Sequence, residues 1–184
     1  MTSGRRRPAV FLDRDGTLIE DVGYPRDPQA VTVLDGAISA LRELSALGFA
    51  LAVVSNQSGI ARGLVTTAEA AAVDERFVSL YAAGGVRFDA VAYCPHGPGD
   101  GCECRKPAPR MLLDIAARLE LDLGSSFMVG DKGSDIEAGR RAGCRTVLFR
   151  ATAGAVDAKQ GADGVASKWS AVSRLICAAI PRDA

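Results

Sequence analysis

Short apolar runs alternate with segments of helical periodicity along most of the chain, and this alternation restricts the possible folds more than any other feature. Residues 49–54 form an unbroken apolar run, as expected for a strand buried on both faces of a parallel sheet. Further strands are predicted at residues 9–12, 88–93, 127–129 and 146–149, with a weak one near Val165. Strands that alternate with helices predict the α/β class, with a doubly wound, mostly parallel sheet.

The predicted helices have recognisable ends. Apolar residues recur at helical spacing over residues 37–47, and Gly48 ends that helix. Thr66 and Glu69 form the capping-box pattern, which predicts a helix running to about Tyr81. The remaining helices are predicted over residues 109–119, over residues 136–142 before Gly143, and over residues 168–179.

The chain of 184 residues is long enough for one domain with a sizeable core, and it shows no internal repeat or linker. We therefore expect a single domain over residues 1–184, in which residues 1–7 form a flexible tail. No stretch is long enough for a separate lid, so the fold is predicted to be capless, with an open active site. A monomer is expected on the same ground.

Charge and hydropathy exclude several classes of partner. The formal net charge is zero, which argues against a nucleic acid or an anionic membrane. The apolar run that follows Arg7 stops at Asp13 and is too short for a signal sequence or a membrane span. The predicted location is cytoplasmic.

Two carboxylates follow the first predicted strand. Asp13 and Asp15 stand one residue apart, and Gly16 supplies the turn. Open α/β sheets bind ligands at the carboxyl ends of their strands, where one acid can attack while the other transfers protons. A solvated turn is the alternative interpretation, because Asp and Gly are common turn residues.

Polar residues also follow other strand ends, and a parallel sheet brings such ends to one edge. They are residues 55–59, 105–107 and 130–135. Carboxylates, a hydroxyl, an amide and cations together suit phosphoryl transfer, in which an aspartate accepts the phosphoryl group. Acids gathered at one site repel one another unless a cation screens them, and Mg²⁺ is the natural choice because it prefers oxygen ligands.

Three of the five cysteines and the only histidine lie close together in a Gly- and Pro-rich stretch. They are Cys94, His96, Cys102 and Cys104. A Cys₃His set is a common tetrahedral zinc site, and four protein ligands predict a structural ion that stiffens the loop. Disulfides or free buried thiols are the alternative. Cys144 and Cys177 are interpreted as core or incidental thiols.

These motifs, in their order along the chain, resemble those of the haloacid dehalogenase-like (HAD) phosphatases, and more closely the D,D-heptose 1,7-bisphosphate 7-phosphatase family. The match runs from about Phe11 to Phe149. The matching segments are residues 11–17 (FLDRDGT), 55–63 (SNQSGIARG), 94–96 (CPH), 102–107 (CECRKP) and 130–132 (GDK). The motifs in this order are far more specific than any one of them alone.

The resemblance implies a role for each matching residue. Asp13 would be the nucleophile and a Mg²⁺ ligand. Asp15 would protonate the leaving sugar oxygen, deprotonate the hydrolytic water and bind Mg²⁺ through its backbone carbonyl. Ser55 and Lys106 would hold the phosphoryl oxygens, and Asp131 would supply the other Mg²⁺ carboxylate. The implied substrate contacts are Asp21, Val22, Gly23, Tyr24, Asn56, Gln57, Ser58, Arg105 and Lys132, in addition to Ser55 and Lys106.

The reaction implied by the resemblance is hydrolysis of the 7-phosphate of D-glycero-D-manno-heptose 1,7-bisphosphate, through an aspartyl-phosphate, for nucleotide-heptose biosynthesis. The alternatives are histidinol-phosphate phosphatase, another small sugar-phosphate phosphatase, and a catalytically silent binding module. Residues 56–63 favour the heptose enzyme, and retention of the acids argues against a silent module. A phosphomutase is disfavoured because no cap segment is visible to exclude water.

Three features are left open by the sequence. Asp135 is expected to cap the helix that follows it rather than to act in the site. Arg62 is equally consistent with a loop charge and with a phosphate contact. The loop over residues 97–101 is short compared with some members of the family, so neither the anomer nor the exact sugar is assigned.

Overall fold

The structure is a computed structural model that describes residues 6–151 and 161–180. Its strands are β1 (Ala9–Leu12), β2 (Ala50–Asn56), β3 (Ala90–Cys94), β4 (Phe127–Gly130), β5 (Arg145–Phe149) and β6 (Gly164–Ala166). Its α-helices are α1 (Ala37–Ala46), α2 (Thr67–Ala83), α3 (Arg110–Leu119), α4 (Gly133–Ala142) and α5 (Trp169–Ala178). Short 3₁₀ helices cover Pro28–Ala30 and Leu123–Ser125.

The predicted doubly wound α/β fold is confirmed. All neighbouring strands are parallel, and their order in the sheet is β3-β2-β1-β4-β5-β6. The chain therefore winds outwards from β1 in both directions, and the strand order reverses between β1 and β4. Asp13 follows β1 at this switch point, and its backbone N–H donates to the Val129 carbonyl at 2.9 Å. A ligand site is expected there, at the carboxyl ends of the strands.

The two faces of the sheet carry separate cores. On one face, Val10 and Leu12 of β1 pack with buried residues of α1, α2 and α5. On the other face, Ala9 and Phe11 pack with buried residues of α3 and α4. Because both faces are covered, the central strands are apolar up to the polar residues at the carboxyl end of β2, which explains why they could be recognised in the sequence.

Two buried aromatic side chains hold the segment that follows the first acidic motif. Trp169 at the start of α5 donates its indole N–H to the Thr17 carbonyl at 3.0 Å. Tyr81 of α2 donates its hydroxyl to the Leu18 carbonyl at 2.7 Å. The turn after Asp15 is therefore fixed by helices that belong to the core.

Two element boundaries differ from the prediction for identifiable reasons. β3 begins at Ala90, because Phe88 stacks on Phe77 at 5.2 Å between ring centroids and so belongs to an aromatic cluster under α2. α4 begins at Gly133 rather than at residue 136, because the Asp135 carboxylate accepts a hydrogen bond from the Lys132 backbone N–H at 2.9 Å. The helix is thereby extended towards the strand end.

Part of the predicted N-terminal tail lies outside the described residues, which begin at Arg6. Arg7 is exposed but anchored: its carbonyl accepts a hydrogen bond from the Asp122 N–H at 3.0 Å, and its guanidinium pairs with Asp89. Within the two described ranges, every helix is too short or too polar to cross a membrane.

Candidate active site

The carboxyl ends of β1, β2 and β4 meet around one small cavity. Its lining residues are Asp13, Asp15, Ser55, Asn56, Lys106, Lys132, Ser134 and Asp135. Six of these eight were predicted as site residues, and Ser134 and Asp135 were not. The predicted substrate contacts that do not line this cavity are Asp21, Val22, Gly23, Tyr24, Gln57, Ser58 and Arg105.

Lys106 provides a buried cation beside Asp13. Its Nζ lies 2.6 Å from Asp13 Oδ1 and 2.7 Å from Asp135 Oδ1, and it donates to the Val54 carbonyl at 2.6 Å. Burial acts to lower the pKa of Lys106, but the two carboxylates outweigh it and raise that pKa. The ammonium group is therefore protonated and fixed in place next to the first acid of the motif.

The backbone of Lys106 is fastened to the end of β2 by Asn56. The Asn56 Oδ1 accepts a hydrogen bond from the Lys106 N–H, and its Nδ2 donates to the Lys106 carbonyl, both at 3.0 Å. Asn56 was predicted as a substrate contact. In this structure its amide group positions Lys106.

A cluster of acids lies beside Lys106. One carboxylate oxygen from each of Asp13, Asp131 and Asp135 lies within 4.8 Å of the others. The Oδ1 atom of Asp131 is buried and has no hydrogen-bond partner among the described residues. Burial, followed by the nearby Asp13 carboxylate, raises the pKa of Asp131 to about 7. A divalent cation would supply the missing positive charge and occupy the unpaired oxygen, so these residues fit Mg²⁺.

The interpretation of Asp135 as a helix cap alone is incomplete. Its Oδ2 does cap α4 through the Lys132 N–H, but its Oδ1 contacts Lys106, and the residue is 1% exposed. The available signal was its position in the first turn of a helix that begins at the site. An acid at that position reaches back over the helix N-terminus and, in this fold, over the strand ends.

Gly16 is required by the geometry of this cluster. Its φ angle is +82°, and a Cβ atom at this position would lie 2.6 Å from Asp131 Oδ2. A side chain would therefore be disfavoured by the left-handed backbone and would also collide with a candidate metal ligand.

Asp15 also lines the cavity, and its carboxylate has its own set of partners. The Gln57 Nε2 donates to Asp15 Oδ2 at 2.7 Å and to Ser55 Oγ at 2.9 Å. The guanidinium of Arg14 also contacts the Asp15 carboxylate, at 3.0 Å. The two acids of the motif thus line the same cavity while having different partners.

The segment over residues 21–24 forms a rim beside the cavity. Asp21 Oδ2 accepts a hydrogen bond from Lys132 Nζ at 3.2 Å, and Lys132 Nζ also lies 3.6 Å from Asp131 Oδ2. Val22 and Tyr24 are large apolar side chains that remain 56% and 41% exposed. The Tyr24 ring packs so closely on Gly59 that a Cβ there would lie 2.8 Å from it. Exposed apolar groups next to a polar cavity are suited to contact a ligand.

The four predicted zinc ligands meet in the loop after β3. Cys94 Sγ lies 3.6 Å from Cys102 Sγ and 3.2 Å from Cys104 Sγ, and His96 Nδ1 lies 3.3 Å from Cys104 Sγ. Tetrahedral zinc with bonds of about 2.0–2.3 Å places ligand atoms roughly 3.5–3.8 Å apart. One of these distances falls in that range and the other two are shorter by a few tenths of an ångström, so the four side chains are close enough together to hold this ion. All five cysteines are free thiols, so the disulfide alternative is wrong.

The zinc-ligand loop also contacts Arg105, the residue before Lys106. Arg105 Nη1 donates to the His96 carbonyl at 3.0 Å. Arg105 lines a second cavity, which adjoins the first through Lys106 and which also includes Gly97, Pro98 and Gly101. The loop therefore sets the position of Arg105 relative to Lys106.

We expect purified protein to contain about one zinc ion per chain, and Cys102→Ser to lose it. Because the loop orients Arg105 and Lys106, loss of the ion should lower the melting temperature and reduce phosphatase activity by about tenfold or more. Elemental analysis measures the zinc content, thermal unfolding the melting temperature, and a phosphate-release assay the activity. Cys177→Ser, outside the cluster, is the matched control and should keep its zinc. Zinc-free protein with normal stability would contradict a structural role.

The parallel sheet, with a lysine and three acids gathered at its switch point, defines the class of this protein as a HAD-like hydrolase. A family model described as HAD-hydrolase-like matches residues 103–167. A protein from Yersinia pestis named D-glycero-beta-D-manno-heptose-1,7-bisphosphate 7-phosphatase is 44% identical over 151 residues, which cover 78% of this chain and 80% of the relative. The chain belongs to the D-glycero-β-D-manno-heptose-1,7-bisphosphate 7-phosphatase family, whose members are phosphoric monoester hydrolases.

Other similarities extend over nearly the whole chain. The protein of the same name from Escherichia coli K12 is 40% identical over 178 residues, covering 92% of this chain and 93% of the relative. The crystal structure of D,D-heptose 1,7-bisphosphate phosphatase from B. bronchiseptica, complexed with magnesium and phosphate, superimposes with a TM-score of 0.82 at 32% identity. That similarity covers 94% of this chain and 99% of the other.

Proposed function

We propose that this chain hydrolyses the 7-phosphate of D-glycero-β-D-manno-heptose 1,7-bisphosphate, in the presence of Mg²⁺, to give the heptose 1-phosphate. The observation that carries the proposal is the contact of Lys106 with Asp13 at 2.6 Å, beside a buried Asp131 oxygen that lacks a donor. Phosphoryl transfer needs these parts: a nucleophile, positive charge for the phosphoryl oxygens, and oxygen ligands for a divalent cation. The β anomer is proposed because the relatives at 40–44% identity carry it in their names.

In the first half of the proposed reaction, a carboxylate oxygen of Asp13 attacks the phosphorus of the 7-phosphate. A bond forms between Asp13 and phosphorus as the bond from phosphorus to the sugar oxygen breaks. The electron pair of that bond stays on the sugar oxygen, which takes a proton from Asp15. Lys106 and the hydroxyl of Ser55 hold the phosphoryl oxygens.

In the second half, Asp15 takes a proton from a water molecule whose oxygen attacks the same phosphorus. The bond between phosphorus and Asp13 breaks, so the carboxylate is regenerated and inorganic phosphate leaves. Gln57, which bridges Asp15 and Ser55, keeps the base and the phosphate-holding hydroxyl in register. Bound Mg²⁺ would neutralise charge on the transferring phosphoryl group. The carboxylates of Asp13 and Asp131 and the backbone carbonyl of Asp15 would hold it, with Asp135 adjacent.

The rest of the substrate is proposed to lie between the rim and the zinc-ligand loop. Arg105 would contact the distal 1-phosphate, because its charge lies in a cavity that adjoins the reacting site through Lys106. Lys132 would contact substrate close to the cation. The remaining proposed contacts are Asp21, Val22, Gly23, Tyr24, Asn56, Gln57 and Ser58.

The proposal includes a monomeric enzyme in the cytoplasm that supplies nucleotide-heptose biosynthesis. A reducing compartment keeps the three thiols of the zinc-ligand loop available as metal ligands. Light scattering of the purified protein tests the monomer.

A phosphate-release screen tests the substrate assignment. The two anomers of heptose 1,7-bisphosphate are compared with histidinol phosphate and simple sugar phosphates, each with and without a Mg²⁺ chelator. We expect the highest kcat/KM for the β anomer, dependence on Mg²⁺, and a product that retains the 1-phosphate by ³¹P NMR. A higher kcat/KM for histidinol phosphate would overturn the assignment.

A further inference from the structure

Arg14, between the two acids of the first motif, is buried and takes no part in the proposed chemistry. It is 1% exposed and does not line the reacting cavity. Its Nη2 donates to both carboxylate oxygens of Asp15, at 3.1 and 3.0 Å, and its Nε donates to Asp15 Oδ1 at 3.2 Å. A charged side chain buried this deeply, with its planar fork against one carboxylate, holds that carboxylate in a defined orientation.

Arg14 is itself held by two other elements. Its Nη1 pairs with Asp74 of α2, a carboxylate whose pKa is raised by burial even though Arg14 acts to lower it. Its guanidinium carbon lies 5.6 Å from the centre of the Tyr93 ring of β3, a cation–π distance. Asp74, Tyr93 and Asp15 thus surround Arg14, and a contiguous chain of contacts links the α2 helix to Asp15.

We propose that Arg14, anchored by Asp74 and Tyr93, is a positioning residue that orients the Asp15 carboxyl group for proton transfer. This inference rests on the proposed function of Asp15. Arg14 and Gln57 together supply all the hydrogen bonds that Asp15 accepts from other side chains in the described structure. A displacement of about 1 Å in such a group costs on the order of 10²-fold in rate.

The test compares two leaving groups in Arg14→Lys and Asp74→Asn. A sugar oxygen needs a proton from Asp15 to leave, whereas the nitrophenolate of p-nitrophenyl phosphate leaves as a stable anion. The parameter kcat/KM reports only events up to departure of the leaving group. The ratio of kcat/KM for the sugar substrate to kcat/KM for p-nitrophenyl phosphate therefore isolates this proton transfer. For Arg14→Lys we expect kcat/KM to fall about 10²-fold with the heptose bisphosphate and less than about tenfold with p-nitrophenyl phosphate. Asp74→Asn should lower kcat/KM with the sugar substrate by up to about tenfold, and should lower it less with p-nitrophenyl phosphate.

Arg141→Lys is the matched control, because Arg141 makes an exposed pair with Glu137 on α4. It should leave kcat/KM unchanged with both substrates. Equal losses on the two substrates, or no loss on either, would overturn the positioning role. If Arg14→Lys does not fold, as judged by circular dichroism, Asp74→Asn decides alone. If the unmodified enzyme hydrolyses other sugar phosphates but not heptose bisphosphate, the substrate assignment fails. The Arg14 test then proceeds with the preferred sugar phosphate.

Discussion

Replacing Asp13 by asparagine should reduce phosphate release by on the order of 10⁴-fold or more. The amide keeps the size of the side chain but cannot form a stable bond to phosphorus by the same route. The fold should be unaffected, because the change removes one of three neighbouring acids and Lys106 keeps its contact with Asp135. Steady-state kinetics, together with thermal unfolding, measure both expectations.

Asp114→Asn provides the matched control for Asp13→Asn. Asp114 is exposed on α3, where it pairs with Arg110, so the variant should have the activity of the unmodified protein. An Asp13→Asn protein with a near-normal rate would remove Asp13 as the nucleophile and with it the proposed mechanism.

Replacing Lys106 by methionine should affect both activity and stability. Methionine has a similar length but no charge, so Asp13 and Asp135 would face each other without the cation that now lies 2.6 and 2.7 Å from them. Breaking a buried ion pair from one side costs about 3–5 kcal/mol in the free energy of unfolding. The rate should fall on the order of 10²–10³-fold, because the phosphoryl oxygens lose a donor.

Denaturant unfolding with and without Mg²⁺ measures this loss of stability. Added Mg²⁺ should restore part of it, since a cation screens the same carboxylates. Lys168→Met, at an exposed lysine before α5, should change neither the free energy of unfolding nor the rate. Unchanged stability in Lys106→Met without Mg²⁺ would contradict the view that the acids depend on this lysine.

The fold could be predicted because its central strands are covered on both faces. Buried strands such as β2 appear as apolar runs, here residues 50–54, and the helices between them have caps such as Thr66 with Glu69. The start of β3 could not be placed, because Phe88 is equally apolar whether it pairs in the sheet or stacks on Phe77. Apolar character reports burial, and burial alone does not distinguish the two.

The site could be predicted where its residues stand directly after strands or in a dense ligand cluster. Contacts that position the site residues from behind were not predicted. The contact of Arg14 with Asp74 joins the turn after β1 to a helix sixty residues away, and the hydrogen bonds of Asn56 depend on where the loop before α3 returns to the sheet. Such contacts between distant segments leave no periodicity or spacing in the sequence.

The closeness of Gly16 to Asp131 has a consequence for how enzymes of this design diversify. Because a methyl group at residue 16 would lie 2.6 Å from a carboxylate oxygen of Asp131, the proposed Mg²⁺ ligand, a substitution there would require Asp131 to move. We therefore expect substitutions that alter substrate preference to be tolerated at the exposed segment over residues 21–24 and not at residue 16.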